Sequence, residues 1–369
     1  MKIIKRILLV VLILLVVLGL CAGSYVGYMQ KQYYRIEDNT QLLVENAQLS
    51  DPLTVDTEYS AMSYNVGFGA YGPEYSFFMD AGVMEDGTAI TGKYGKALSE
   101  QSVLDHTAGA LSVVEQYQPD FVLLQEVDED SDRSYHVDQH QAFRDAMPEY
   151  GSIFALNFHS AYLLYPFSDP HGAVQAGMLT LTRHEVTDAI RRSYPVDGSF
   201  ITKFTDLDRC FSVVRVPVEN GKELVMINSH MSASDKGGTI RQQQLEMLTG
   251  VMSEEYAKGN YVIVGGDFNH ALGRDVAEAF PCQQQFPAWV FVLDDEDLPE
   301  HFSIARADNR TEVATCRAAE IPYEKGVNFE TVVDGFWVSD NIEYTAENID
   351  TGYANSDHNP VLMHFTLKG

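Results

Sequence analysis

The sequence predicts an α/β protein carried behind an N-terminal membrane helix. Three observations lead there. Short apolar runs of strand length recur, amphipathic stretches with three-to-four spacing precede two of them, and an uncharged apolar run stands near the N-terminus. Of the 369 residues, 45% are hydrophobic and 11% aromatic, which supports a sizeable core and excludes a disordered chain.

The N-terminal run is "ILLVVLILLVVLGLCAGSYVGY", Ile7 to Tyr28, preceded by Lys2, Lys5 and Arg6. It is long enough to cross a hydrocarbon core of roughly 30 Å. The positive flank places residues 1–6 in the cytoplasm as a basic tip, residues 7–28 in the membrane, and the remainder outside the cell. A cleaved signal peptide is the alternative, but no A-x-A site follows the run. Cys21 suggests a lipoprotein, but Leu20 stands where a small residue is usual.

Residues 29–57 are polar with scattered apolar positions and read as a stalk or linker; residues 58–369 read as one domain. In that domain "SEQSVLDHTAGALSVVEQYQ" keeps Leu104, Ala108, Leu111, Val114 and Tyr117 on one helical face. "FVLLQEV" (Phe121 to Val127) follows as a buried strand, and "ELVMINSH" (Glu223 to His230) is a second. "TIRQQQLEMLTGVMSEEYAKG" is a second amphipathic helix, with Thr239 and Gln242 as a capping box and Gly259 as its stop. "YVIVGGDF", "TVVDGFWVS" and "PVLMHFTL" complete the strand set. Three cysteines lie beyond the anchor, so at most one disulfide forms, with Cys282–Cys316 the expected pair; C-x-x-C spacing is absent.

The formal charge is -28, and the basic N-terminus makes the rest more acidic still. Such a body repels polyanions at long range, so a nucleic-acid partner is disfavoured, and a phosphate-handling site here needs a metal ion to reverse the local sign.

Several strands finish in polar residues that a core strand does not need. These are Asn65, Glu126, His230, Asp267 with Asn269, Asp334, and Asp357 with His358. Individually each has a bland reading as a cap, a turn or a satisfied core group. Together they form a set of hard oxygen donors suited to Mg²⁺ or Mn²⁺, with two histidines to move or orient protons.

In order and context, Asn65, Glu126, "NSH", "GGDFN", "VVDGFWVS" and "SDHNPV" resemble the endonuclease/exonuclease/phosphatase superfamily, over roughly Tyr59 to the C-terminus. The resemblance implies a four-layer sandwich of two mixed β-sheets flanked by helices. It implies that Glu126 holds the divalent metal with Asn65 beside it, and that Asp357 joins the metal environment. It further implies that Asp267 orients or deprotonates the attacking water while Asn269 positions water and phosphate. His230 would contact a phosphate oxygen. His358, its ring fixed by Asp334, would stabilise the pentavalent phosphorus or protonate the leaving oxygen. His270 has no matching role.

Two loops depart from the motif set. The Gly- and aromatic-rich segment after Asn65 reads either as a pocket wall or as a surface excursion. "SAYLLYPFSDPHGAVQAG" offers Tyr162 and His171 as substrate contacts. The span between His270 and Asp334, with Trp289, reads as a small packed subdomain, with a lid or a second membrane contact as the alternatives. The reading as a whole is an extracellular, membrane-tethered, Mg²⁺-dependent hydrolase of a small or lipid-linked phosphate ester, with Mn²⁺ as the other candidate ion and no obligate protein partner. An extracellular nuclease and an inactive binding module on the same fold are its alternatives.

Overall fold

The computed structural model describes residues 2–233, 238–287 and 289–369. Four longer helices are α1 (Lys2–Gln32), α2 (Glu100–Tyr117), α3 (Gln139–Ala146) and α4 (Thr239–Ala257). The strands of the two large sheets begin with β1 (Thr40–Gln41), β2 (Val44–Glu45), β3 (Glu58–Asn65), β4 (Phe121–Asp128) and β5 (Gly151–Leu163). They continue with β6 (Gly172–Thr182), β7 (Asp188–Ser193), β8 (Cys210–Pro217), β9 (Glu223–His230) and β10 (Tyr261–Asp267). The last four are β11 (Phe302–Ala305), β12 (Asp334–Ser339), β13 (Ile342–Asn348) and β14 (Val361–Leu367).

Sheet I runs β1-β7-β8-β9-β10-β12-β11, and sheet II runs β13-β14-β3-β4-β6-β5-β2. Both are mixed: β9–β10 and β3–β4 pair parallel, while β10–β12 and β14–β3 pair antiparallel. The strands read as unbroken apolar runs because both faces of each sheet are covered. In β10, Tyr261 and Ile263 enter a core between the sheets with Leu123, Met226, Phe336 and Met363. Val262 and Val264 point the other way, to Leu248 and Met252 of α4. On the far side of sheet II, Val122 and Leu124 meet Ala110 and Val114 of α2 and Phe143 of α3. The result is helix, sheet, sheet, helix, as the resemblance implies.

α2 begins at a Ser99–Ser102 capping box. α4 does not use the capping box expected from Thr239 and Gln242. Gly238 is the N-cap, Thr239 is already helical, and the Gln242 amide instead donates to Glu246 at 3.0 Å. Its far end closes on Gly259 in the left-handed region. Residues 29–57 lie against the domain: β1 pairs with β7, β2 with β5, and Leu53 is buried in the inter-sheet core. The expected Cys282–Cys316 disulfide is absent. Both thiols are free, with Cys282 Sγ 3.3 Å from Gln284 O and Cys316 in a backbone bridge to His358. Around Trp289, Ala271, Ala277, Val290, Ala318 and Phe329 form a small separate cluster.

α1 is long and apolar enough to cross a membrane, with a mean hydropathy of 3.1 and its apolar window wholly exposed. Its C-terminal end is tied to the domain. Tyr25 Oη donates to Tyr162 O at 3.0 Å and accepts from Leu164 N at 3.3 Å, and Tyr28 Oη accepts from Tyr162 N at 3.2 Å.

Candidate active site

Strand register assembles the site. In sheet I, His230 of β9 stands opposite Asp267 of β10, and Asp267 opposite Asp334 of β12. Two glycines permit this. A Cβ at Gly265 would meet Leu123 and Phe336 at 2.6 Å, and Gly266, with φ +151°, has no room for a Cβ against the Ser229 carbonyl. In sheet II, Asn65 stands opposite Gln125, and the next residue, Glu126, sits in a β-bulge between the Leu124–Leu179 and Val127–Gly177 pairs. Glu126 has φ +55°, an uncommon conformation for a side chain of this kind. The bulge re-aims the carboxylate toward the cleft. The loop before β14 brings Asp357 and His358, and Ser356 Oγ pins it by donating to Asn65 O at 2.8 Å.

Asp267 is the hub of the hydrogen bonds. Its Oδ1 accepts from Asn269 N at 2.8 Å and its Oδ2 from Asn65 Nδ2 at 2.9 Å. His230 Nε2 lies 3.5 Å and His358 Nε2 3.8 Å from the same Oδ2. His358 Nδ1 is 2.8 Å from Asp334 Oδ2. Asn65 takes Gly67 N on its Oδ1 at 3.0 Å, so its amide nitrogen faces Asp267 and, at 3.4 Å, Glu126. Asn269, at φ +52°, donates its side chain to Met231 O at 2.9 Å.

Burial sets the charges. It raises the carboxyls of Glu126 and Asp357; Asp357 adds to the effect on Glu126, while Arg133, His358 and Arg209 oppose it. Burial works against a charged His358, but the carboxylates of Asp334, Asp357 and Asp267 outweigh it and hold the ring well above its usual range. Burial raises the Asp334 carboxyl, with His358 opposing. His230 is the opposite case. Burial, with Arg209, His358 and Arg133 nearby, keeps it well below the usual range and therefore neutral. One histidine is thus cationic and the other neutral, both facing one carboxylate.

Glu126, His230, Asp267, Asn269, Asp357 and His358 line a cavity of about 640 Å³. The segment after Asn65 forms part of its wall, through Phe68, Tyr71, Phe77, Met79 and Asp80. His171 lines it with Nδ1 2.6 Å from Gly95 O, and burial pushes its pKa down to about 3. Tyr162 is not among the lining residues; its backbone bonds the tyrosines of α1. His270 bonds Phe268 O at 2.6 Å, outside the cavity lining.

Sequence reasoning missed several polar residues of the cavity wall, among them Arg133, Arg317 and four others. Arg209 is 7% exposed, yet its Nε and Nη1 have no hydrogen-bond partner among the described residues; Asn157 Nδ2, 1% exposed, is in the same position. Both line the cavity. Also lining the cavity are Asp80, whose carboxyl burial and then Glu320 raise well above normal, and Glu320 itself. None of the four belongs to a strand-end motif; an Asp-Arg pair before a strand was the only signal for Arg209.

A model of the endonuclease/exonuclease/phosphatase family matches residues 62–358. The chain belongs to that family. No curated protein matches the chain. Solved structures do share the family's fold. One is an endonuclease/exonuclease/phosphatase from Beutenbergia cavernae, 16% identical with a TM-score of 0.56, covering 85% of this chain and 72% of that one. TDP2 from Caenorhabditis elegans is 17% identical with a TM-score of 0.51, over 84% and 74% of the two chains. ANGEL2, described as a 2',3'-cyclic phosphatase, is 15% identical with a TM-score of 0.53, over 90% and 99%.

Proposed function

We propose that this family member is a divalent-metal-dependent phosphohydrolase, tethered by α1 with its catalytic domain outside the cell, that cleaves a phosphodiester or phosphomonoester by in-line attack of water. The observation that carries this reading is the meeting of Asp267 with both histidines, within 3.5 Å and 3.8 Å, in a cavity that also contains Glu126 and Asp357.

The donor set fits a hard cation. Glu126 and Asp357 are partly buried carboxylates whose charge desolvation disfavours, and a divalent ion is the counter-charge that relieves them. Asp267, Asp334 and His358 also offer donor atoms within 4.8 Å of one another, but His358 Nδ1 is already engaged by Asp334. Glu126 and Asp357 are therefore the ligands in this reading, and Asn65 is a bridge between Glu126 and Asp267. Mg²⁺, or Mn²⁺, held there would supply charge neutralisation at the phosphate oxygens.

The chain's own groups do the rest. Asp267, aligned by Asn65 and by Asn269 N, accepts the proton of the attacking water. His358, kept cationic by Asp334, stabilises charge on phosphorus or protonates the leaving oxygen. Neutral His230, Asn269, Asn157 and Arg209 donate to non-bridging oxygens, and a phosphate is a partner for the Nε and Nη1 of Arg209, which have none among the described residues. The formal charge of -28 repels a polyanion at long range, which favours a small or lipid-linked ester over a nucleic-acid strand.

The test is turnover of bis(p-nitrophenyl) phosphate by the full chain with Mg²⁺ or Mn²⁺, beside Glu126→Gln and His358→Ala. Absence of wild-type turnover on this and every other phosphate ester defeats the reading; full activity in both variants moves the site elsewhere. A substrate affinity that collapses as salt rises would point to a nuclease instead.

A further inference from the structure

The rim of the cavity is one residue from the membrane helix. Leu163 lines the cavity, and the residues on either side of it, Tyr162 and Leu164, hydrogen-bond to Tyr25 and Tyr28 of α1. Tyrosines at the end of an apolar span settle at the level of the lipid headgroups, so their partners lie at that level too. A second rim segment is tied to the same helix end. Lys203 Nζ donates to Gln30 Oε1 at 2.9 Å, Phe204 packs edge-on against Tyr33 at 5.7 Å, and Thr202 and Leu207 line the cavity.

Both rim segments present bare apolar side chains. Phe167 is 83% exposed and Ile201 75%, Tyr165 and Phe200 are also exposed, and so is Met79 of the cavity wall. Singly such residues are ordinary, but here they cluster around one opening, beside a span that must itself be in lipid.

We infer that the segments Leu163–Pro170 and Pro195–Asp208 sit in the interfacial layer of the membrane that α1 crosses, and that the cavity takes its phosphate ester from that layer as a lipid headgroup. The inference rests on the phosphohydrolase reading above and narrows its substrate to a membrane lipid. The cavity volume of about 640 Å³ suits a headgroup, with the acyl chains left in the bilayer. Because the chain carries a formal charge of -28, the contact is apolar and the favoured surface zwitterionic.

Two measurements on the full chain in phosphatidylcholine vesicles test this. The first is independent of catalysis. Phe167→Trp and Ile201→Trp fluorescence is expected to be quenched by acyl-brominated phosphatidylcholine, whereas Leu49→Trp, at a 90% exposed position, is not. Quenching at neither rim position overturns the membrane contact, whatever the activity. The second compares wild type with a Phe167→Asp/Ile201→Asp variant. Hydrolysis of a vesicle-borne phosphodiester lipid is expected to fall about tenfold or more relative to hydrolysis of bis(p-nitrophenyl) phosphate. An unchanged ratio overturns the lipid substrate. Quenching without turnover of any ester keeps the membrane contact and defeats the phosphohydrolase reading, and with it the lipid substrate.

Discussion

Asp334 Oδ2 and His358 Nδ1 lie 2.8 Å apart, and the other ring nitrogen of His358 faces Asp267 at 3.8 Å. Asp334 therefore holds the ring of His358 by its Nδ1 without itself lining the cavity. Asp334→Asn keeps the volume but removes the charge that holds His358 cationic. It is expected to lower kcat by about 10²- to 10⁴-fold with little change in KM. Steady-state kinetics on a soluble diester decide this, and a change confined to KM would contradict the assignment.

Arg209 separates stability from activity. Guanidinium nitrogens that are buried with no partner among the described residues are a cost to the fold, so Arg209→Met is expected to raise stability by about 1–3 kcal/mol while reducing kcat/KM at least tenfold. Urea unfolding and kinetics on the same preparation check both halves. A variant that is less stable and fully active would place Arg209 among ordinary structural residues.

Metal binding has a readout other than turnover. Mg²⁺ or Mn²⁺ is expected to raise Tm of the wild type, and EDTA to reverse it, because ligands that bind only the folded state stabilise it. Glu126→Gln and Asp357→Asn should each abolish the shift. Retention of the full shift in both would place the ion on Asp267, Asp334 and His358 instead.

Acid stability should be read at a site far from the cavity. Burial works to raise the Glu255 carboxyl, but hydrogen bonds from Arg215 at 2.7 Å, Lys258 at 2.7 Å and Asn260 at 2.9 Å outweigh it and bring it to about 2. Its folded pKa is depressed, so its stabilisation is present in full above the ordinary value of 4.5 and is lost as pH falls toward 2. The gap in unfolding free energy between wild type and Glu255→Gln is expected to be on the order of 2 kcal/mol at neutral pH and to close by pH 2. A gap independent of pH would rule this out.

Much of this molecule is legible in its sequence, for reasons that differ by residue. β9 and β10 are buried on both faces, so "LVMIN" and "YVIV" are unbroken apolar runs, and His230 and Asp267 stand out as their polar ends. The bulge at Glu126 is invisible in sequence, since it arises from pairing with β6. Arg209 and Asn157 escape because burial and the lack of a partner are tertiary facts. Residues 29–57 look like a stalk because two-residue strands at sheet edges bury too little to leave a pattern. The Thr239 capping box fails because Gly238 already turns the chain into the helix one residue earlier.

The polar bridge beneath the cavity is Gln125 Nε2 to Asn228 Oδ1, 2.8 Å, one residue from sheet II to one from sheet I. Asn65 and Glu126 belong to sheet II, while His230, Asp267 and Asp334 belong to sheet I. Neither sheet folded alone would carry a complete constellation. During refolding, recovered turnover would therefore time the docking of the two halves rather than the formation of either, and a chain arrested with one sheet built would be inert however native its secondary structure.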